Sequence, residues 1–215
     1  IERAQTCPLC RAPFPKTEEE CAALCQRHAD RGVAWAQHNM AVRYEEGRAV
    51  PRDIARAVEL FQSAAAQGYS LSQFALGQIY VHGRYGIAMD VREGMRLLEA
   101  AVAQDDAKAM WVLGTVYRDG KPGVPVDLSR AVDLIQRSAE MGLDTAQGDL
   151  GYMYEHGWGV EESLPDALKW HKAAAEQGNA TAQLNMGGCL MRACQEQFGR
   201  VDITGHNVVP QALLW

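Results

Sequence analysis

A pattern of small residues, repeated every 36 or 37 positions, constrains this chain more than any other feature. An Ala or Ser precedes each small residue by five positions, and a Tyr follows the first four of them by three positions. Such offsets fall on one face of an α-helix, which has about 3.6 residues per turn. Each repeat therefore begins with a helix that presents small side chains to a neighbour. The small residues are Ala41, Gly77, Gly114, Gly151 and Gly187.

A second helix is expected to complete each repeat. The first helix should end at a glycine six positions after the small residue, because glycine accepts the left-handed conformation of a C-cap. Asp53, Asp90 and Asp127 recur at steps of 37 residues and should cap the start of the second helix. In the fourth repeat Pro165 and Asp166 take that place, since proline suits a first helical turn. The terminating glycines are Gly47, Gly83, Gly120 and Gly157.

A single helix pair cannot bury its apolar face, so consecutive pairs must stack. The sequence therefore predicts an all-α fold, a right-handed helical-repeat solenoid of antiparallel helix pairs. We expect a zinc-knuckle segment at 1–16, a connecting helix at 17–32, a solenoid at 33–195 and an irregular C-terminal segment at 196–215. The predicted repeats are 33–68, 69–105, 106–142 and 143–178, with a partial repeat at 179–195.

The fourth repeat carries a family resemblance. It reads LGYMYEHGWGV at 150–160, DALKW at 166–170 and AAAEQG at 173–178. These segments resemble the Sel-one-like repeat, which is similar to the tetratricopeptide repeat but has a longer loop between its helices. The resemblance covers roughly residues 33 to 194. Proteins of this family are usually scaffolds and adaptors, so the resemblance implies that this chain binds a protein or peptide partner.

The similarity to tetratricopeptide repeats further implies that the first helices line a concave binding face. Four aromatic residues occupy outward positions of these helices and would anchor a partner, as exposed aromatics do in binding hot spots. The alternative for Phe74 and Trp111 is that they pack between neighbouring helices. Trp158 and Trp170 are expected to be structural. The predicted partner-binding residues are Trp35, His38, Phe74, Gln78, Trp111, Arg118, Tyr152 and Glu155.

The charge balance disfavours two classes of partner. The chain has 21 basic and 27 acidic side chains, for a formal net charge of -6. General affinity for nucleic acid or for an anionic membrane requires an excess of Lys and Arg, so we expect neither partner. No apolar run approaches the roughly 20 residues that a membrane-spanning helix needs.

The sequence also offers no recognisable catalytic motif, so we expect no catalytic residues and no enzyme activity. Its six histidines form no HExxH or HxH arrangement, and no GxGxxG or GxxxxGK phosphate loop is present. The rival interpretation is a secreted or lumenal repeat protein with hydrolase-like or quality-control adaptor activity. Asn179 begins a glycosylation sequon that would suit such a protein, or it caps the next helix. The cysteine-free stretch between Cys25 and Cys189 instead favours a reducing, cytoplasmic compartment.

The N-terminal cysteines form a second informative segment. Cys7-Pro8-Leu9-Cys10-Arg11 reads CPLCR and resembles the closing ligand pair of a RING-type zinc finger. The resemblance implies that an intact parent protein would recruit a ubiquitin-conjugating enzyme. The chain begins at Ile1 without a Met, as expected of a fragment.

Two alternatives to the RING interpretation concern the next cysteine pair. Cys21 and Cys25 could join Cys7 and Cys10 in a four-thiolate zinc site, or they could form an apolar face that docks on the first repeat. A structural zinc site such as that of a RING requires four protein ligands, and Cys7 and Cys10 supply two. We therefore expect no bound cofactor in this chain and zinc only in an intact parent.

Overall fold

The computed structural model describes residues 17–198, which fold into ten α-helices. This confirms the predicted all-α helical-repeat fold. Within the described range, none of these helices is long and apolar enough to cross a membrane. The knuckle cysteines Cys7 and Cys10, and residues 199–215, lie outside that range. The helices are α1 (Glu18–Asp30), α2 (Ala34–Glu46), α3 (Ile54–Ala66), α4 (Ser70–His82), α5 (Val91–Val102), α6 (Ala107–Asp119), α7 (Leu128–Glu140), α8 (Asp144–His156), α9 (Leu164–Glu176) and α10 (Ala180–Phe198).

Side-chain caps set the starts of the second helices, α3, α5, α7 and α9. Asp53, Asp90 and Asp127 each accept a hydrogen bond at 3.0 Å from the backbone N–H three residues later. In the fourth repeat the cap is Ser163, whose hydroxyl accepts from the N–H of Asp166 at 3.3 Å. The prediction that Pro165 and Asp166 take the place of the cap is therefore wrong by two residues, because proline fits inside the first turn and not at the cap.

The helix ends require backbone in the left-handed region. The first helices α2, α4 and α8 end at glycines with φ between +63° and +72°. The second helices are followed by glycines at the same repeat position, except in the second repeat. There Asp105 adopts φ +58°, although a side chain with a Cβ is strained in this region.

The helices group into two compact units, one ending at Asp106 and the other beginning at Ala107. In the first unit, consecutive helices pack around a core that includes Met40, Phe61 and Leu76. Cys25 lies in this core and Cys21 packs against it, as the interpretation of these two cysteines as an apolar face predicted. In the second unit, α6 to α10 pack consecutively in the same manner.

The small residues allow close approach of the two helices of a pair. A Cβ added at Gly77 would come within 2.8 Å of Leu98, and one added at Gly114 would come within 2.7 Å of Ile135. These distances are shorter than van der Waals contact. Gly151 makes the same approach to His171, whose ring atoms would lie 2.7 to 3.0 Å from an added Cβ.

Glutamine side chains link consecutive helix pairs inside each unit. In the first unit, buried Gln73 donates a hydrogen bond at 3.4 Å to the carbonyl of Ala65 in the preceding pair. Its amide oxygen accepts from Gln104, at the end of its own pair, at 2.8 Å. In the second unit, Gln147 accepts from Gln177 in the same way at 2.8 Å. Each buried amide is therefore satisfied by groups from more than one helix.

Candidate functional site

In the first unit, the predicted partner-binding residues differ in accessibility. Trp35 is 43% exposed, and its ring lies 5.4 Å from the ring of His28. Phe74 and Gln78 are half-buried on α4. Trp35 is therefore the predicted residue of the first unit that is most open to a partner, since His38, Phe74 and Gln78 are all half-buried.

His38 is also half-buried, and it contacts residues of the next helices. Its Nδ1 lies 2.9 Å from the hydroxyl of Ser72, and its ring packs against those of Phe61 and Tyr69. Burial lowers the pKa of His38 below its ordinary value, so the ring is neutral at pH 7. The contacts of His38 are those of a residue that joins neighbouring helices.

In the second unit, Trp111 and Arg118 of α6 share one acceptor on α8. The indole N–H of Trp111 donates to Oδ2 of Asp149 at 2.8 Å, and Nη1 of Arg118 donates to the same oxygen at 3.0 Å. Arg118 also pairs with Asp119 at 2.7 Å. Both side chains are therefore held in fixed orientations by charge-assisted hydrogen bonds.

Three aromatic rings form an exposed group at the end of α8, which we call the aromatic cluster: Tyr152, His156 and Trp158. The ring of Tyr152 stacks on that of His156 with 4.1 Å between centroids and meets the edge of Trp158 at 5.2 Å. Tyr152 is 36% exposed and Trp158 is 41% exposed. Trp158 was expected to be structural, but the structure places it on the surface beside a predicted binding residue.

The ring of His156 is held by its own helix. Its Nδ1–H donates at 3.0 Å to the carbonyl of Tyr152, one turn earlier. This bond satisfies one of the free carbonyls at a helix end. The aromatic cluster is therefore rigid as well as exposed.

Glu155 does not point outward as the partner-binding prediction expected. Its side chain is 13% exposed, and its Oε2 lies 3.5 Å from Nε2 of His171 on α9. Cys189 of α10 completes the group, and one potential ligand atom from each of the three residues lies within 4.8 Å of the others. The second carboxylate oxygen, Oε1, lies 3.8 Å from Arg192. Glu155 therefore faces the interface of three helices.

His171 and Cys189 are both fully buried in this group. Nδ1 of His171 has no hydrogen-bond partner among the described residues, whereas Nε2 makes the 3.5 Å contact with Glu155. Leaving a buried polar group unpaired costs about 1–3 kcal/mol. Burial lowers the pKa of His171, so its imidazole is neutral, and burial beside Glu155 raises the pKa of the Cys189 thiol to about 11.

The repeats themselves match a known family. The family model of the Sel1 repeat matches residues 36–69, 70–106, 107–143 and 145–179, well over half of the chain. The chain belongs to the Sel1 repeat family. Proteins with Sel1 repeats generally act as protein-interaction scaffolds, and the fold is typically a non-enzymatic one.

Solved structures agree with this assignment. The crystal structure of c5321, a protective antigen present in uropathogenic Escherichia coli strains, displays an SLR fold with a TM-score of 0.76 and 30% identity. The match covers 82% of this chain and 37% of that one, so this chain spans little more than a third of the length of c5321. A Sel1 repeat protein from Oxalobacter formigenes gives a TM-score of 0.73 and 27% identity, covering 93% of this chain and 78% of that one.

A third structure shares the fold alone. Immunity protein Pa5087 from Pseudomonas aeruginosa is 21% identical, with a TM-score of 0.54, and the match covers 78% of this chain and 62% of that one.

The Sel1 repeat register contains a signal for His171 and Cys189 that sequence reasoning missed. In the first three repeats, the position of His171 holds an apolar residue that is buried against the first helix. The position of Cys189 holds an apolar residue in the second, third and fourth repeats. Comparing equivalent positions would have marked both residues as polar or reactive groups in a core. The apolar equivalents are Phe61, Leu98 and Ile135 for His171, and Ile79, Val116 and Met153 for Cys189.

Proposed function

We propose that this Sel1 repeat protein is a scaffold that binds a protein or peptide partner through the aromatic cluster of its second unit. The observation that carries the proposal is the exposure of Tyr152 and Trp158 in mutual contact. Large aromatic side chains lose little conformational entropy on binding and bury much apolar area. Two of them side by side, on a rigid helix end, are therefore suited to anchor a partner.

Polar groups beside the cluster supply directional contacts. Asp149 lies one turn before Tyr152 on the same face of α8, because residues three apart are neighbours on a helix. Its carboxylate holds Trp111 and Arg118 in place. This set combines apolar anchors with preorganised hydrogen-bonding groups, which is the usual composition of a peptide-binding site. The partner is expected to contribute an apolar side chain to the aromatic cluster.

The test starts from peptides selected on the immobilised full chain from a random peptide library. Their affinity is then measured for the parent protein and for Tyr152→Ala and Trp158→Ala. Loss of a hot-spot aromatic costs about 2 kcal/mol or more, so each variant should weaken binding at least about 30-fold.

Met141→Ala is the matched control, because Met141 is also an exposed apolar residue of the second unit, 51% accessible, but lies outside the cluster. It should leave the affinity unchanged. Because all three side chains are exposed, circular dichroism should show similar thermal stability for the variants. Selected peptides that bind Tyr152→Ala and Trp158→Ala as tightly as the parent protein would contradict the proposal.

The N-terminal knuckle supports a second and separate proposal. In a longer parent protein, Cys7 and Cys10 would close a RING-type zinc module that recruits a ubiquitin-conjugating enzyme, while the Sel1 repeats recruit the substrate. The support is the sequence CPLCR at 7–11 alone. Sequencing the transcript upstream of Ile1 tests it. Six further Cys or His ligands at RING spacing are expected, and their absence would rule the module out.

A further inference from the structure

We propose that Glu155, His171 and Cys189 form a binding site for a transition-metal dication of the zinc class. Metal binding at this site does not require a partner at the aromatic cluster, and it goes beyond the scaffold function. It also departs from the sequence-based expectation that this chain holds no metal. The three residues come from three different helices, α8, α9 and α10, so the site exists only when the second unit is folded.

The spacing of the ligand atoms fits a zinc-sized ion. Zinc binds sulfur, nitrogen and oxygen ligands at about 2.0–2.3 Å, so the ligand atoms of a tetrahedral site lie roughly 3.3–3.8 Å apart. Nε2 of His171 and Oε2 of Glu155 are already 3.5 Å apart. The remaining pairs lie within 4.8 Å. Side-chain rotations that shorten these distances by about 1 Å would complete the geometry.

The burial of the group points to a ligand. The side chain of His171 is 0% exposed, its Nδ1 lacks a hydrogen-bond partner within residues 17–198, and its Nε2 makes a long contact of 3.5 Å with Oε2 of Glu155. Its Nε2 is directed toward Glu155, and the ring packs on Gly151. A metal bound at Nε2 would replace this long contact, because the neutral imidazole and the carboxylate could then both coordinate the same ion.

The repeat register shows that His171 and Cys189 are not required by the fold. The position of His171 is apolar in the first three repeats, and the position of Cys189 is apolar in the second, third and fourth. The position of Glu155 varies and holds Glu45, Val81 and Arg118 in the first three repeats. Two substitutions toward metal-ligand chemistry therefore meet beside a carboxylate in the core, and the three residues together supply one nitrogen, one sulfur and one oxygen.

The charges and the surroundings of the site also suit a dication. Metal binding would release the proton of the Cys189 thiol to solvent, and the resulting thiolate and the Glu155 carboxylate would balance a charge of +2. The nitrogen and sulfur ligands favour zinc over magnesium or calcium. Arg192 approaches Oε1 of Glu155, at 3.8 Å, and donates to the Glu155 carbonyl at 3.3 Å. It can therefore orient the carboxylate while Oε2 remains directed to the metal. Three protein ligands leave one coordination position for water or an incoming group.

Cobalt titration of the metal-free 215-residue chain tests the proposal, because tetrahedral Co²⁺ with a thiolate ligand gives visible ligand-field bands and a near-ultraviolet charge-transfer band. We expect one equivalent to bind with these bands and to be displaced by Zn²⁺. Zn²⁺ should also raise the melting temperature of the protein. Cys189→Ser and His171→Leu should each weaken the affinity by about 100-fold or more.

Matched controls separate this site from other cysteines. Cys194→Ser changes a cysteine five positions later on the same helix, which is exposed, and should bind Co²⁺ like the parent protein. The double variant Cys7→Ser/Cys10→Ser should also bind it like the parent. His171→Leu restores the residue type of the second repeat, Leu98, and should fold even without metal.

The proposal is overturned if the parent protein shows no thiolate-to-cobalt band. It is equally overturned if binding survives in Cys189→Ser and His171→Leu but disappears in Cys7→Ser/Cys10→Ser. If Cys189→Ser fails to fold, the cobalt spectrum of the triple variant Cys7→Ser/Cys10→Ser/Cys194→Ser shows whether Cys189 supplies the thiolate. With those three thiols removed, an unchanged thiolate band together with loss of binding in His171→Leu supports the site, and loss of the band refutes it.

Discussion

Replacing Gly114 by alanine tests whether the small residues of the repeat are there for close helix packing. In an isolated helix the change would stabilise the protein by about 1 kcal/mol, since glycine is a poor helix former. In this structure the new Cβ would lie 2.7 Å from Cγ1 of Ile135 and 3.3 Å from the carbonyl oxygen of Ala131. Ile135 is fully buried, so it can move aside only by displacing its own neighbours.

Overpacking of a well-packed core typically costs about 1–3 kcal/mol, and here α6 and α7 would also have to separate. The clash should therefore outweigh the gain in helix propensity, with a net loss of up to about 2 kcal/mol. For a chain of this size the melting temperature should fall by up to roughly 8 °C. Circular dichroism at 222 nm during heating, together with urea unfolding, measures both quantities.

Gly148→Ala is the matched control for this prediction. Gly148 lies in the interior of α8 in the same unit, and an added Cβ would meet its nearest neighbours only at 3.9 and 4.0 Å. Without a clash, the propensity term should act alone and raise the melting temperature by roughly 2–4 °C. If Gly114→Ala stabilised the protein as much as Gly148→Ala does, close packing would not be the reason for glycine in this position.

Three further predictions concern stability. Burial lowers the pKa of His38, so on acidification the unfolded chain takes up a proton near pH 6.5, before the folded protein does. The urea concentration at the unfolding midpoint should therefore fall as the pH is lowered from about 7 to 5, and His38→Gln should flatten this decline. Asp105→Gly should raise the free energy of unfolding by about 0.5–1 kcal/mol in urea titrations, because Asp105 adopts φ +58° where other repeats use glycine; a loss of stability would refute this. Asp90→Ala should lower the free energy of unfolding by about 0.5–2 kcal/mol, because it removes the acceptor for the N–H of Glu93. Asp90→Asn keeps an acceptor and should lower the free energy of unfolding much less, so equal losses in the two variants would contradict the capping role.

The repeat architecture was predictable because several local rules agree at each position. The Asp90 cap, the C-cap glycines and the spacing of small residues all predict the same helix boundaries, and the structure confirms them. The start of α9 was predicted incorrectly because Ser163 and Pro165 are both typical of helix N-termini. Only the observed hydrogen bond from Asp166 distinguishes the cap from the first turn.

The candidate site was less predictable, because its residues lie at the borders of helix faces. Glu155 was expected to point outward, yet Val81, at the equivalent position, is buried as well. In these two repeats, the position four residues after the small residue therefore belongs to the buried side of the first helix and not to its exposed side. The exposure of Trp158 depends on the loop after α8, whose course has no periodic signal in the sequence.

The bonds made by Gln73 and Gln147 bear on how such a chain can grow. The link joins an amide at a fixed position of one repeat to a backbone carbonyl of the preceding one, at 3.4 and 3.2 Å in the two units. Backbone carbonyls are present in every repeat whatever its side chains, so an inserted copy of a repeat that carries this glutamine would meet its predecessor through the same contact. Gene duplication of a whole repeat would then lengthen the array without any new complementary substitution at the junction.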